Sequence, residues 1–192
     1  MITQNDLHIV PLQEIHLERI SSKGPILDVG GGGEGLVSRV EGSRVCSVDI
    51  KMNKIREAHI YGSDNQWIAS DARRLCFAEN SFSVTAVWFS LGYFGDWQSK
   101  KRLFSEIKRV LEPEGVVSII ASRIDCKEER FLFNARFLFP DGDTSQVGYQ
   151  VKGNQEQTIE ATQAALEEFY FKVTKIKDNE HWFMLEASLV QS

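Results

Sequence analysis

Residues 26–35 read Ile-Leu-Asp-Val-Gly-Gly-Gly-Gly-Glu-Gly, and this stretch limits the possible folds more than any other part of the chain. Pro25 stops whatever precedes it. Ile26, Leu27 and Val29 suit a short buried strand, interrupted only by Asp28. The glycines follow at once, and glycine lets a backbone turn with positive φ and approach a bound molecule closely. Leu36, Val37 and Val40 then begin a helical spacing. The order is strand, glycine turn, helix. In an open α/β sheet, ligands bind in the crevice beyond the carboxyl end of such a strand.

Gly30, Gly32 and Gly35 fit Gly-x-Gly-x-x-Gly, the dinucleotide fingerprint. Four adjacent glycines satisfy many patterns, and a tight turn between two elements would also explain them. Asp28 separates the two readings. A pyrophosphate here would face a carboxylate two residues away, which is repulsive in a partly dry site. A ligand with a positive end would be attracted. The stretch therefore points to a cationic, nucleoside-like ligand.

The same logic recurs along the chain. Arg44 to Asp49 reads as a second strand, with Asp49 at its carboxyl end, 21 positions after Asp28. A carboxylate there can accept hydrogen bonds from both ribose hydroxyls, or cap the polar helix expected over residues 51–59. Gly62 and Ser63 are expected to break that helix. Gln66 to Ser70 reads as a third strand, followed by Asp71, 22 positions after Asp49. Asp71 can accept from an adenine amine, and the backbone amide of Ala72 can meet a ring nitrogen. Three acidic residues at three successive strand ends are harder to attribute to chance than any one alone.

Val84 to Phe89 is the apolar run of a central strand. The aromatic, glycine-containing loop Ser90–Trp97 follows. It is suited either to holding a substrate or to packing Phe94 and Trp97 over the next helix. That helix spans Trp97–Leu111, with Leu103, Phe104, Ile107, Val110 and Leu111 on one face. Val116–Ala121 is a fifth strand. The alternation predicts a parallel sheet with helices on both faces.

Residues 128–152 change character. Phe131, Phe133, Phe137 and Phe139 nearly alternate, Pro140-Asp-Gly-Asp signals a turn, and Val147, Tyr149 and Val151 alternate with polar residues. An inserted hairpin is expected there, with its aromatics as core. A helix over Thr158–Tyr170 and two antiparallel strands, Phe171–Ile176 and Trp182–Val190, close the chain. Residues 1–24 read as a lead-in, with Pro11 opening a short helix that carries Leu12, Ile15 and Ile20. The expectation is one domain over residues 1–192.

The net charge of −5 argues against a nucleic-acid partner. Arg73-Arg74 and Lys100-Lys101-Arg102 read as solvated surface charge. Cys46, Cys76 and Cys126 are widely spaced and form no Cys-x-x-Cys pair, so neither a disulfide framework nor a metal site is expected. No apolar segment is long enough for a membrane span. No secretory signal is visible, and a cytoplasmic protein is expected.

Taken together, Ile26–Gly35, Ser47-Val-Asp-Ile50, Ser70-Asp-Ala72, Glu79-Asn-Ser-Phe82 and Phe104–Gly115 resemble the class I S-adenosylmethionine-dependent methyltransferase family. The resemblance covers roughly residues 26–122, and the late helix and hairpin fit the family's last strands. It implies a Rossmann-like, doubly wound, mostly parallel seven-stranded sheet ending in an antiparallel hairpin. It implies S-adenosylmethionine as cofactor, with Gly30, Gly31 and Gly32 along its methionine part and Asp28 at its amino group. Asp49 would hold the ribose, Ile50 would pack on the adenine, and Asp71 and Ala72 would read the adenine edge. Phe89 and Ser90 would face the reacting end, with Tyr93 and Phe94 beside the acceptor.

Two positions depart from the family pattern. Glu34 stands where the third glycine usually falls, with Gly35 one place later, and Ser83 replaces a common aspartate. The implied reaction is displacement of a sulfonium methyl by a small-molecule nucleophile. No general base stands out among Tyr93, Asp96, His59 and His181. The rival readings are a nicotinamide-dinucleotide oxidoreductase and a cofactor-binding module without turnover.

Overall fold

Continuous apolar runs and alternating ones separate in space into two sheets. The computed structural model describes residues 6–61 and 65–190. The larger sheet has seven strands. They are β3 (Ile26–Val29), β4 (Val45–Asp49), β5 (Gln66–Ala69), β6 (Phe82–Trp88), β7 (Leu111–Ser122), β10 (Phe171–Asp178) and β11 (Trp182–Leu189), in the spatial order β10-β11-β7-β6-β3-β4-β5. The five strands from β7 to β5 pair in parallel, and β11 runs antiparallel to both β7 and β10. This is the mostly parallel, seven-stranded sheet with a terminal antiparallel hairpin that the sequence predicts. The chain runs outward from β3 through β4 to β5, then returns to the other side of β3 as β6 and β7. That reversal opens the crevice at the carboxyl ends of β3 and β6.

The central strands are covered on both faces, which explains why β3 and β6 read as nearly continuous apolar runs. One face packs against α3 (Trp97–Val110) and α4 (Ile159–Glu167), through Leu103, Phe104, Ile107 and Leu166. α3 starts where Asp96 accepts a hydrogen bond from Ser99 N–H at 2.8 Å. α1 (Leu36–Glu41) contributes to the other face, and α2 (Met52–Ala58) packs beside β4 and β5. Gly62 and Ser63, expected to end α2, lie outside the described residues.

Helices do not cover that second face alone. A smaller sheet lies on it, built from β1 (Leu7–Ile9), β2 (Gln13–His16), β8 (Arg130–Leu138) and β9 (Thr144–Lys152). β8 and β9 form an antiparallel hairpin over their whole length. β1 and β2 run parallel to β8 one after the other along its free edge. The helix expected from Pro11 is therefore a strand pair instead. Pro11 has no N–H to donate and sits in the break between two edge strands, a position that tolerates it. Ile15 and Leu17 are buried at alternate positions, the spacing of a strand. Phe131, Phe133 and Phe137 point into the layer between the two sheets, against Ile26, Val84 and Ala86.

One core position breaks the apolar rule. Lys100, on the buried face of α3, is 0% exposed, and its ammonium has no hydrogen-bond partner. It rests 4.6 Å from the centre of the Trp97 ring. Burial pulls its pKa down to about 8. Charging it in the fold is unfavourable at neutral pH, and that cost fades as pH rises from about 8 towards the ordinary lysine range. Lys100→Met is expected to raise the melting temperature at pH 7 by about 5 °C, on the order of 2 kcal/mol. The gain should shrink as thermal unfolding is repeated at higher pH.

Candidate functional site

Beyond the carboxyl ends of β3, β4, β5 and β6 lies a cavity of about 540 Å³. Asp28, Asp49 and Asp71 all border it, as do the glycines of residues 30–33 and 35. Ile50, Ala72, Phe89, Ser90, Tyr93 and Phe94 also line its wall. The sequence-derived site residues thus converge on one space.

The glycine turn is shaped by two close approaches. Gly30 has φ 72°, and a β-carbon there would lie 2.5 Å from Ser90 Cβ. Ser90 Oγ in turn donates to Val29 O at 2.6 Å, which ties the end of β6 to the end of β3. A β-carbon on Gly31 would lie 2.0 Å from Asp28 Oδ2. The backbone therefore lies directly over the Asp28 carboxylate, closer than any side chain permits.

The three carboxylates are in different states. Asp28 is 2% exposed and accepts a hydrogen bond from Ser47 Oγ at 3.0 Å. Burial drives its pKa up to about 7, against the hydrogen bond from Ser47 and with a smaller push from Asp49. Asp49 accepts from Gly32 N–H at 3.2 Å through Oδ2 and from Lys51 N–H at 2.8 Å through Oδ1. It therefore fixes the glycine turn and the start of α2, and each oxygen keeps a further lone pair. Asp71 lies in a two-pronged pair with Arg73, at 3.0 Å to Nε and 2.7 Å to Nη2. Those hydrogen bonds hold its pKa below the usual carboxylate range.

Phe89 has φ 55°, an uncommon value for a bulky residue. The turn packs its ring against Phe133 and Phe137, with centroids 5.6 and 5.1 Å away. Strain of this kind concentrates at sites where a side chain must be aimed.

The other half of the wall comes from the smaller sheet, through Phe137, Val147, Gly148 and Tyr149. Sequence reasoning placed these residues on a hairpin but read its aromatics as core. The alternation of Val147, Tyr149 and Val151 did signal a common face; what that face meets was not legible. Tyr149 stands 5.5 Å from Phe133 and 5.9 Å from Tyr93, ring to ring. Its hydroxyl is buried and makes no hydrogen bond of normal geometry, with the Ser122 hydroxyl nearby. Burial pushes this phenol well above its ordinary range, so it is neutral at physiological pH.

The turn and the hairpin are fastened together. Glu34, the residue that departs from the family's glycine pattern, hydrogen-bonds Ser145 of β9. Arg39 of α1 pairs with Asp143 at 2.5 Å and stacks 3.7 Å from the Phe139 ring centre. Of the four base candidates only Tyr93 lines the cavity; Asp96 caps α3, His59 packs beside Trp67, and His181 lies next to Glu180.

Residues 27–119 match the profile of a methyltransferase domain family. Among solved structures, an S-adenosylmethionine-dependent methyltransferase from Methanosarcina mazei is similar at 20% identity and a TM-score of 0.67. That match covers 90% of this chain and 95% of the other. A protein from Pyrococcus horikoshii matches at 20% identity and a TM-score of 0.67, covering 88% and 84%. The cyclase SpnF matches at 14% identity and a TM-score of 0.63, covering 88% and 76%. At these identities the structural likeness speaks to the fold alone. No curated protein sequence matches the chain.

Proposed function

Because residues 27–119 match a methyltransferase-domain family and the fold is shared with an S-adenosylmethionine-dependent methyltransferase, we propose that this chain uses S-adenosylmethionine to methylate a small, largely apolar molecule held between the two sheets. S-adenosylmethionine is the cofactor, and it supplies an electrophilic methyl group on a sulfonium. The cavity suits that cofactor: its volume is in the range of small-ligand sites, and the close approach of Gly31 to Asp28 forms a cradle that a β-carbon would fill. Asp28 would meet the amino group, Asp49 the ribose hydroxyls, and Asp71 and Ala72 the adenine edge, with Gly30 to Gly32 and Ile50 alongside. For Asp71 to do so, Arg73 must share or release its fork. Arg73 is largely exposed, which makes that exchange inexpensive.

The observation that carries the acceptor reading is that Phe89, Phe137 and Tyr149 pack together and line the same cavity as the strand-end carboxylates. Phe89 and Ser90 would border the reacting end, with Tyr93 and Phe94 beside the acceptor. These side chains exclude water and orient a flat or apolar molecule. The Tyr149 hydroxyl offers a hydrogen bond to a heteroatom on it. Within the fold that hydroxyl has only the Ser122 hydroxyl nearby and no hydrogen bond of normal geometry, so a hydroxyl or amine on the methyl acceptor would give it a better partner. A neutral phenol can orient such a group but not deprotonate it.

The test is calorimetry with S-adenosylhomocysteine, followed by methyl transfer from labelled cofactor to a panel of phenols, aromatic amines and aliphatic controls. Transfer confined to aliphatic acceptors would overturn the aromatic-wall reading. Cofactor binding with no transfer to any acceptor would favour a module that uses the fold for something else. Once an acceptor is found, Tyr149→Phe is expected to raise its KM about tenfold, consistent with one lost hydrogen bond to a buried partner. Cofactor affinity should stay within twofold in the same variant.

A further inference from the structure

We infer that His8, Cys126 and Glu128 form a binding site for a divalent d-block cation of the zinc class. Nδ1 or Nε2 of His8, Sγ of Cys126 and a carboxylate oxygen of Glu128 all lie within 4.8 Å of one another. His8 Nδ1 and Glu128 Oε2 are 3.8 Å apart. Nitrogen and oxygen ligands on a tetrahedral zinc stand about 3.3 Å apart, so a small side-chain rotation closes the site. All three residues are half-buried, which leaves room for water as a fourth ligand.

The fold brings these residues together from opposite ends of the chain. β1 pairs in parallel with β8, and His8 stands beside Phe131 in that register. The His8 ring stacks parallel to the Phe131 ring, 5.5 Å between centroids, which restrains the plane of the imidazole. Cys126 and Glu128 lie two residues apart in the connection from β7 to β8. That connection is held by the bridge between Ile124 and Gln157 and by Gly153 N–H donating to Glu129 O at 2.7 Å. The backbone N–H of Asn154 is directed at Cys126. Such outer hydrogen bonds orient metal-bound ligands.

The donor set chooses the metal. Thiolate and imidazole select zinc and its d-block neighbours, whereas magnesium and calcium favour all-oxygen sites. On binding, the cation displaces the thiol proton to solvent and takes the sulfur as thiolate. Cysteine spacing alone gave no sign of this, because only one cysteine takes part and the histidine is more than a hundred residues away. The bound ion would fasten the three-residue edge strand β1 to the hairpin that walls the cavity. This site is independent of the methyl-transfer reading.

Cobalt(II) serves as the optical probe, titrated into the chelator-treated full chain. The expected result is a thiolate-to-cobalt charge-transfer band in the near ultraviolet, saturating at one equivalent and erased by zinc. Cys126→Ser should abolish the band. His8→Gln and Glu128→Gln should each weaken binding at least tenfold, while Cys46→Ser with Cys76→Ser leaves it unchanged. Zinc should raise the melting temperature of the wild type more than that of His8→Gln at the same concentration. Absence of the band at a tenfold excess of cobalt, or its persistence in Cys126→Ser, overturns the assignment.

Discussion

Asp28→Asn is expected to make the ligand-free protein more stable at pH 8 and a much poorer cofactor binder at the same pH. The Asp28 carboxyl sits at a pKa of about 7 in the fold, against 3.8 as the ordinary value. A raised carboxyl binds its proton more tightly when folded than when unfolded. Its contribution to stability is therefore fully present below about pH 4 and is lost as pH rises through 7. Above that, the fold carries a buried charge met by the Ser47 hydroxyl. Asparagine keeps an acceptor for Ser47 and removes the charge. The expected gain at pH 8 is a few kcal/mol at most, read as a higher melting temperature that no longer falls between pH 4 and 7.

Cofactor binding should move the opposite way. A cationic amino group at Asp28 requires the ionised carboxylate, so wild-type affinity for S-adenosylhomocysteine should climb about tenfold per pH unit from 5 to 7 and then level off. The variant should show a flat profile and an affinity lower by about a hundredfold at pH 8. Calorimetry across that pH range decides the matter. A climbing profile that survives in Asp28→Asn would remove Asp28 from the site.

This trade-off bears on what the sequence could reveal. A charged residue inside an apolar strand run is a local conflict, and such conflicts mark functional positions. Asp28 was legible for that reason, and Asp49 and Asp71 because each stands at or just past the end of a strand run; each run is local. The parallel sheet was legible because strand, turn and helix recur within short stretches. The smaller sheet was not, because β1 and β2 find their partner strand more than a hundred residues later. Without that partner, Pro11 looked like the start of a helix. The phenylalanines of β8 are buried as expected and Tyr149 of β9 is partly so, yet the periodicity of a strand does not say which surface its inner face meets. Phe137 and Tyr149 therefore became visible as cavity walls only in the folded chain. Glu34 registered as a departure in the glycine turn, and its partner Ser145 lies over a hundred positions away.

Asp49→Ala is expected to lower cofactor affinity at least a hundredfold, the largest loss from any single side chain lining the cavity. Two costs combine. The ribose hydroxyls lose a charged acceptor, and hydrogen bonds of that type contribute about 1.5–3 kcal/mol each. The N–H groups of Gly32 and Lys51 also lose the oxygens that hold them at 3.2 and 2.8 Å, which loosens the glycine turn. A cofactor analogue lacking the ribose hydroxyls separates the two costs. If Asp49 grips the sugar directly, the analogue binds the wild type weakly and loses little more in the variant, because the contact is already missing. If Asp49 acts only by shaping the turn, the analogue and the natural cofactor lose affinity equally. The coupling energy from the resulting double cycle is expected to exceed 1 kcal/mol. A value near zero would leave Asp49 as a brace for the turn and move the sugar contact to another group.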